Sequence, residues 1–261
     1  MVSHVTVPTA ELLTSLPGWV TLVRAPNPGP MTLDGTNTWL LRAPGGGCVV
    51  VDPGPLDEGH MQAVAEHAPV AAIILTHGHI DHTEGVPRLA ELTGAPVHLP
   101  PVHKTLVVDG VQVEPLPTPG HTGDSVCFLI RYRDQEIVLT GDTILGRGTT
   151  VVAWPDGDLG DYLVSLDKLA AFEGRPALPG HGPALSDTAV AARYYRQHRN
   201  ARLAQVRAAL DAGATDAADV VARVYADVDR SLWPAAEWSV RAQLAYLRRE
   251  SHPPVRGLDA T

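Results

Sequence analysis

The apolar run "VAAIIL" (70–75) breaks directly into "THGHIDHTEG" (76–85), which crowds His77, His79, Asp81 and His82 into six positions. A buried strand that ends in a turn full of metal-ligand side chains leaves few folds open. The strand must finish at a sheet edge, and other chain segments must meet it there. Three more β-like runs end the same way: "VQVEPLPTPG" leads into His121, "EIVLTG" into Asp142, and the short "PALPG" into His181. Each of these three residues sits in a glycine-rich turn ("TPGHTGDS", "LTGDT", "LPGHGP"), and a histidine between glycines is a poor choice for packing.

The rest of the first half alternates short β-runs with Gly/Pro turns: "WVTLVRAP", "TNTWLLRA", "CVVVDPG", "PVHLP" and "SVCFLIRY". Two helical stretches are expected among them, at 56–68 and at roughly 83–93. Strand, turn, helix and strand again predicts a two-sheet α/β sandwich with helices outside. After about residue 186 the pattern becomes helical: "TAVAARYYRQHRNARLAQVRAALDAG", then "TDAADVVARVYA" capped by Thr215 or Asp216, then "PAAEWSVRAQLAYLRRE". The expected division is therefore 1–186 for a catalytic domain and 187–261 for a helical module, with the tail "SHPPVRGLDAT" frayed.

Two histidines one residue apart can share one ion, while Asp81 and His82 turn towards a second. Completing the sets from the glycine-rich turns gives His77, His79 and His121 for one ion and Asp81, His82 and His181 for the other, with Asp142 bridging. Nitrogen and oxygen donors without cysteine suit zinc, with iron or manganese as alternatives, and the absence of thiolates argues against a purely structural zinc. Two such ions would generate a bridging hydroxide at neutral pH and clamp the attacked oxygen, with Asp81 and Asp142 placed at the chemistry.

Cys48 and Cys127 lie in strand-like runs and read as buried free thiols. No run approaches the ~18 apolar residues of a membrane span. With no basic n-region or apolar h-region at the N-terminus, the chain reads as cytoplasmic. The net charge of −9 excludes a surface that embraces nucleic acid throughout, though not a local basic patch.

The H-x-H-x-D-H pattern followed by a later His, Asp and His resembles the metallo-β-lactamase superfamily at all seven positions. "NPGPMTLDGTNTWLL" (27–41), "GDTILGRGTTV" (141–151) and "PGHGP" (179–183) resemble the branch of that superfamily called β-lactamase-like protein 2. The resemblance implies a four-layer αββα sandwich, a C-terminal winged-helix-like module, two zinc ions and a hydrolase. In this branch it implies an endoribonuclease acting on single-stranded RNA, with thioester hydrolysis of glyoxalase II or acyl-carrier-protein thioesterase type as the alternative. A β-lactamase or a non-catalytic binding module is more remote. Asn37, His198 and Arg199 are substrate-contact candidates by position in the branch. Arg193, Arg196, Arg199 and Arg202, spaced by three, are expected to form a stripe that follows a phosphate backbone towards the metals. Oligomeric state is not legible.

Overall fold

Strands that are apolar on both faces must be covered on both faces. In the computed structural model, which describes residues 15–100, 104–152 and 154–251, that requirement produces two facing sheets with helices on each outer side. The first sheet has the order β1 (Val20–Arg24), β2 (Asn37–Arg42), β3 (Cys48–Val51), β4 (Val70–Ile74), β5 (Val97–His98). The second runs β10 (Ala177–Pro179), β9 (Gln135–Gly141), β8 (Val126–Tyr132), β7 (Val111–Pro117), β6 (Leu106–Val108). The β3–β4, β4–β5 and β9–β10 pairs are parallel and the other pairs antiparallel.

Alternation along each strand assigns its residues to two different cores. Val49 and Val51 of β3 and Val126, Phe128 and Ile130 of β8 point between the sheets, where they meet Trp39, Leu41, Ile74, Ile137 and Leu139. Their neighbours Cys48 and Val50 face α1 (Glu58–Ala65) and α3 (Val86–Thr93), packing on Met61, Val64 and Leu89. On the opposite side Cys127, Leu129 and Val138 pack under α4 (Leu159–Leu169) and α5 (Thr188–Asp211). Both cysteines are buried and free, and burial pushes each thiol up to about 11, so neither is reactive.

Helix boundaries differ from the sequence reading in two places. The stretch expected at roughly 83–93 divides into α2 (Ile80–Thr83) and α3, because Gly85 N–H turns aside to Gly54 O at 2.9 Å. A further helix before residue 186, α4, is one that the sequence reading does not include. Its apolar residues Leu159, Tyr162, Leu163, Leu166 and Leu169 follow helical spacing behind an N-cap, Asp158, whose side chain accepts from Asp161 N. The C-terminal helices are α5, α6 (Ala217–Val224, capped by Asp216) and α7 (Trp233–Ser251). Residues of α5, α6 and α7 share one buried cluster with α4 and the second sheet. The tail expected to fray lies outside the described residues. Among the described residues no helix is long and apolar enough to cross a membrane.

Candidate metal centre

Five strands deliver their C-terminal ends to one edge of the sandwich. Beyond β3 comes Asp52, beyond β4 His77 to His82, beyond β7 His121, beyond β9 Asp142, and beyond β10 His181. Backbone bonds tie the two sheets together at this edge: Val126 N donates to Thr76 O and Asn37 N to Gly180 O, both at 2.8 Å. Two glycines make the approach possible. At Gly120 (φ 142°) a Cβ would lie 2.3 Å from Tyr162 Cα, and at Gly180 it would lie 2.4 Å from Asp142 Oδ1 and 2.7 Å from His82 Cε1.

The donor atoms converge in two groups. His79 Nδ1 stands 3.0 Å from both His77 Nε2 and His121 Nε2. His181 Nε2 stands 3.2 Å from His82 Nε2, 3.1 Å from Asp81 Oδ2 and 3.3 Å from Asp142 Oδ2. Asp142 reaches both groups, with His82 Nε2 at 3.5 Å and His121 Nε2 at 3.8 Å. Ligand atoms ~2.0–2.1 Å from a tetrahedral ion stand about 3.3–3.4 Å apart, so these separations are those of a ligand shell. The clusters His77–His79–His121, His77–His82–Asp142 and Asp81–His82–His181 each offer ligand atoms within 4.8 Å of one another.

The outer nitrogens decide which way each ring donates. His82 Nδ1 donates to Asp52 Oδ2 at 2.9 Å and His121 Nδ1 to Val151 O at 2.6 Å. The Thr76 hydroxyl donates to Asp52 Oδ2 at 2.7 Å, which leaves its oxygen to accept from His77 Nδ1 at 3.0 Å. In these three rings Nδ1 carries a hydrogen, and Nε2 is the atom turned to the shared cavity. Asp52, held at φ 53° and 1% exposed, thus braces both clusters, one directly and one through Thr76. It went unrecognised in the sequence. The only signal was an acid in "VVVDPG", a place where a turn alone would explain it.

Electrostatics separates the two groups. Burial, together with neighbouring imidazoles, holds His77 well below the ordinary histidine range and His121 down at about 4. His82 and His181 go the other way: against burial, the carboxylates of Asp142, Asp52 and Asp81 raise the first well above its ordinary value and the second to about 9. Against its own burial, Asp142 is held well below the usual carboxylate range by His181 and His82, and Asp81 is lowered by the same pair. Without a metal, the carboxylates and the His82–His181 pair share protons as one unit. A cation fits this place: Asp142 Oδ1 is buried without a hydrogen-bond partner, and Gly180 leaves the space before it clear.

From the centre a cleft of ≈ 340 Å³ runs beneath the C-terminal helices, with His121 and Asp142 at its inner end. Its walls are largely apolar, from Met31 and Leu33, Leu145 and Val151, and Tyr225, Val228, Leu232 and Ala236. His198, Arg199, Arg202 and Arg147 also line it. Asn37 does not. It is fully buried, and its amide donates to Pro179 O at 3.0 Å and Gly182 O at 2.8 Å, which ties it to the His181 turn. The expected arginine stripe is absent as well. Each step of three residues rotates by 300°, so Arg193 and Arg202 end on opposite sides of α5. Arg193 pairs with Glu173 at 3.7 Å, Arg196 with Asp167 at 3.2 Å, and Arg202 stacks 4.5 Å from the Tyr225 ring centroid.

Comparison with known proteins gives a consistent picture. The family model described as "Metallo-beta-lactamase superfamily" matches residues 31–111 and 100–181, and one described as "Beta-lactamase associated winged helix domain" matches 217–251. A β-lactamase-like protein 2 homolog of Drosophila melanogaster is 33% identical over 86% of this chain and 86% of its own. An atrochrysone carboxyl ACP thioesterase of Aspergillus fumigatus is 37% identical over 62% of this chain, which spans 55% of that protein. The crystal structure of a β-lactamase domain protein from Burkholderia ambifaria superposes with a TM-score of 0.77 at 21% identity, covering 94% of this chain and 89% of that one.

Proposed function

Because the chain belongs to the metallo-β-lactamase superfamily, whose members are hydrolases, we propose that it is a binuclear zinc enzyme that cleaves an acyl thioester. In this reading His77, His79 and His121 would hold one ion and Asp81, His82 and His181 the other, with Asp142 within reach of both sets. Iron or manganese would fit the same donors. Two ions held by these residues would supply hydroxide from water at neutral pH and Lewis acidity for the attacked carbonyl. The chain itself contributes orientation. Asp52, Thr76 and Val151 O hold three imidazoles with Nε2 inward, and the apolar walls keep bulk water from the acyl group.

The observation that carries the thioester over other substrates is the cleft. Its walls are mainly apolar, and its arginines are already engaged: Arg147 with Asp34, Arg199 with Thr150 O, and Arg202 with Val224 O at 3.0 Å. A phosphate backbone would have to displace those partners, whereas an acyl chain needs only the surface already there. The similarity to an acyl-carrier-protein thioesterase supports the same choice.

A second reading, cleavage of single-stranded RNA, draws on His198 and Arg202 at the cleft and on the winged-helix match. Zinc- or manganese-loaded protein assayed side by side on single-stranded RNA and on thioesters of increasing acyl length separates the two. The thioester reading expects turnover that rises with chain length and vanishes in His79→Ala. RNA cleavage that likewise depends on His79, with no thioester turned over, would put the RNA reading in its place.

A further inference from the structure

The loop between Asp142 and Val151 has a candidate ligand at one end and, at the other, the carbonyl that orients another ligand, His121. Side chains of α4 and α5 hold it from outside. Tyr162 donates to Thr143 O at 2.7 Å, Leu145 N donates to the Tyr195 hydroxyl at 2.9 Å, and an Nη of Arg199 donates to Thr150 O. Thr150 and Val151 therefore form a strap. Arg199 grips one carbonyl, and the next accepts the His121 proton at 2.6 Å, with Thr150 Oγ1 a further 3.2 Å from the same nitrogen.

Arg199 is an unusual residue to bury. It is 3% exposed, makes no ion pair with a carboxylate among the described residues, and lies with its guanidinium carbon 5.2 Å from the Tyr162 ring centroid. Its Nε is buried and has no partner. Burying a cation against one carbonyl and one ring face costs stability, and an apolar side chain of that length would pack there more cheaply. At 3% exposed, its edge at the cleft offers a substrate little surface. What the charge does achieve is a strong, directional bond to Thr150 O, at the residue next to the one that sets the His121 ring.

We propose that Arg199 is a positioning residue through which α5 controls the His77–His79–His121 metal site, acting by way of the Thr150–Val151 strap on His121. The inference rests on the binuclear reading above. Its consequence is asymmetric: loosening the strap frees His121 to turn, while Asp81, His82 and His181, held by Asp52 and the Gly180 turn, keep their places.

The test is zinc alone, titrated against a chromophoric chelator into metal-free full-length protein, for wild type, Arg199→Met and Arg199→Lys, each checked for native near-ultraviolet circular dichroism. Wild type should show two sites. Arg199→Met should weaken one of them by about 10–100-fold and leave the other within about threefold. Arg199→Lys, which keeps a charged donor for Thr150 O, should recover most of the loss. If Arg199→Met does not fold, Arg199→Gln, which keeps a neutral and weaker donor, decides in its place: one affinity weakened and the other unchanged supports the proposal. Equal weakening of both sites, or unchanged affinities with only KM raised, overturns it and returns Arg199 to a general structural or a substrate-binding part. A wild type that binds fewer than two ions fails the binuclear reading itself, and the proposal falls with it.

Discussion

The carboxylate of Asp52 accepts from Nδ1 of His82 at 2.9 Å across thirty positions of sequence. Its second oxygen accepts from the backbone of Thr76 at 2.8 Å, and the Thr76 hydroxyl passes the connection on to His77. One buried acid therefore sets the tautomers of two rings that belong to different clusters, and ring orientation at both depends on it.

Asp52→Asn should accordingly lower affinity at both metal sites. The amide must turn either its oxygen to His82 and its NH2 towards Thr76 N–H or the reverse, and one donor is left facing another in a buried place. The expected loss is about 10–100-fold at each site. Metal content after dialysis against a chelator measures it, and full retention of both ions would contradict the bracing role.

Gly180→Ala is a sharper probe of the cavity. Its Cβ would sit 2.4 Å from Asp142 Oδ1 and 2.7 Å from His82 Cε1, both on buried side chains with little room to shift. Overpacking of this kind costs about 1–3 kcal/mol, read as a lowered denaturant midpoint, and metal binding should fall with it. A variant that loads zinc and unfolds like wild type would mean that the space is not part of a ligand shell.

Acid sensitivity should have a component from His198. Burial first, then the charges of Arg199 and Arg202, push its imidazole down to about 4, against an ordinary value of 6.5. Between those values the unfolded chain binds the proton and the folded chain does not, so stability rises with pH across that window and is fully present above 6.5. The component lost on going from pH 7 to 4, discounted for solvent screening of this part-exposed ring, is on the order of 1–2 kcal/mol. Unfolding curves of wild type and His198→Gln at pH 7, 5.5 and 4.5 isolate it by difference, since the other histidines titrate in both. Parallel pH profiles would show His198 to be solvated.

Substrate length should be read by Ala236 of α7, buried on the cleft wall. A phenylalanine there fills part of the ≈ 340 Å³. Long acyl thioesters should lose about tenfold or more in kcat/KM while the shortest keep theirs. Equal effects on all lengths would place the acyl chain elsewhere.

The strands and the ligand cluster were legible in the sequence because both are local signals. A run such as "CVVVDP" is apolar at every position whatever it packs against, and "HGHIDH" carries four donors on one turn. The glycine neighbours of His121, Asp142 and His181 marked them for the same reason: they open space for a turn without reference to distant residues. Helix α4 carries an equally local signal, with Asp158 as cap and leucines at helical spacing.

What only the tertiary structure decided are the relations between segments. Asn37 sits in a turn-like "DGTN", yet its amide is spent on carbonyls 142 and 145 positions away, and nothing local distinguishes that from an exposed side chain. The arginines of α5 looked like one basic face because their spacing is regular. Acids on neighbouring elements then claimed Arg193 and Arg196, while α4 and the 150–151 strap enclosed Arg199. A side chain's chemistry is written in its own residue, but its partners are set by which strands and helices the hydrophobic layers bring together. That is a property of the packed chain as a whole.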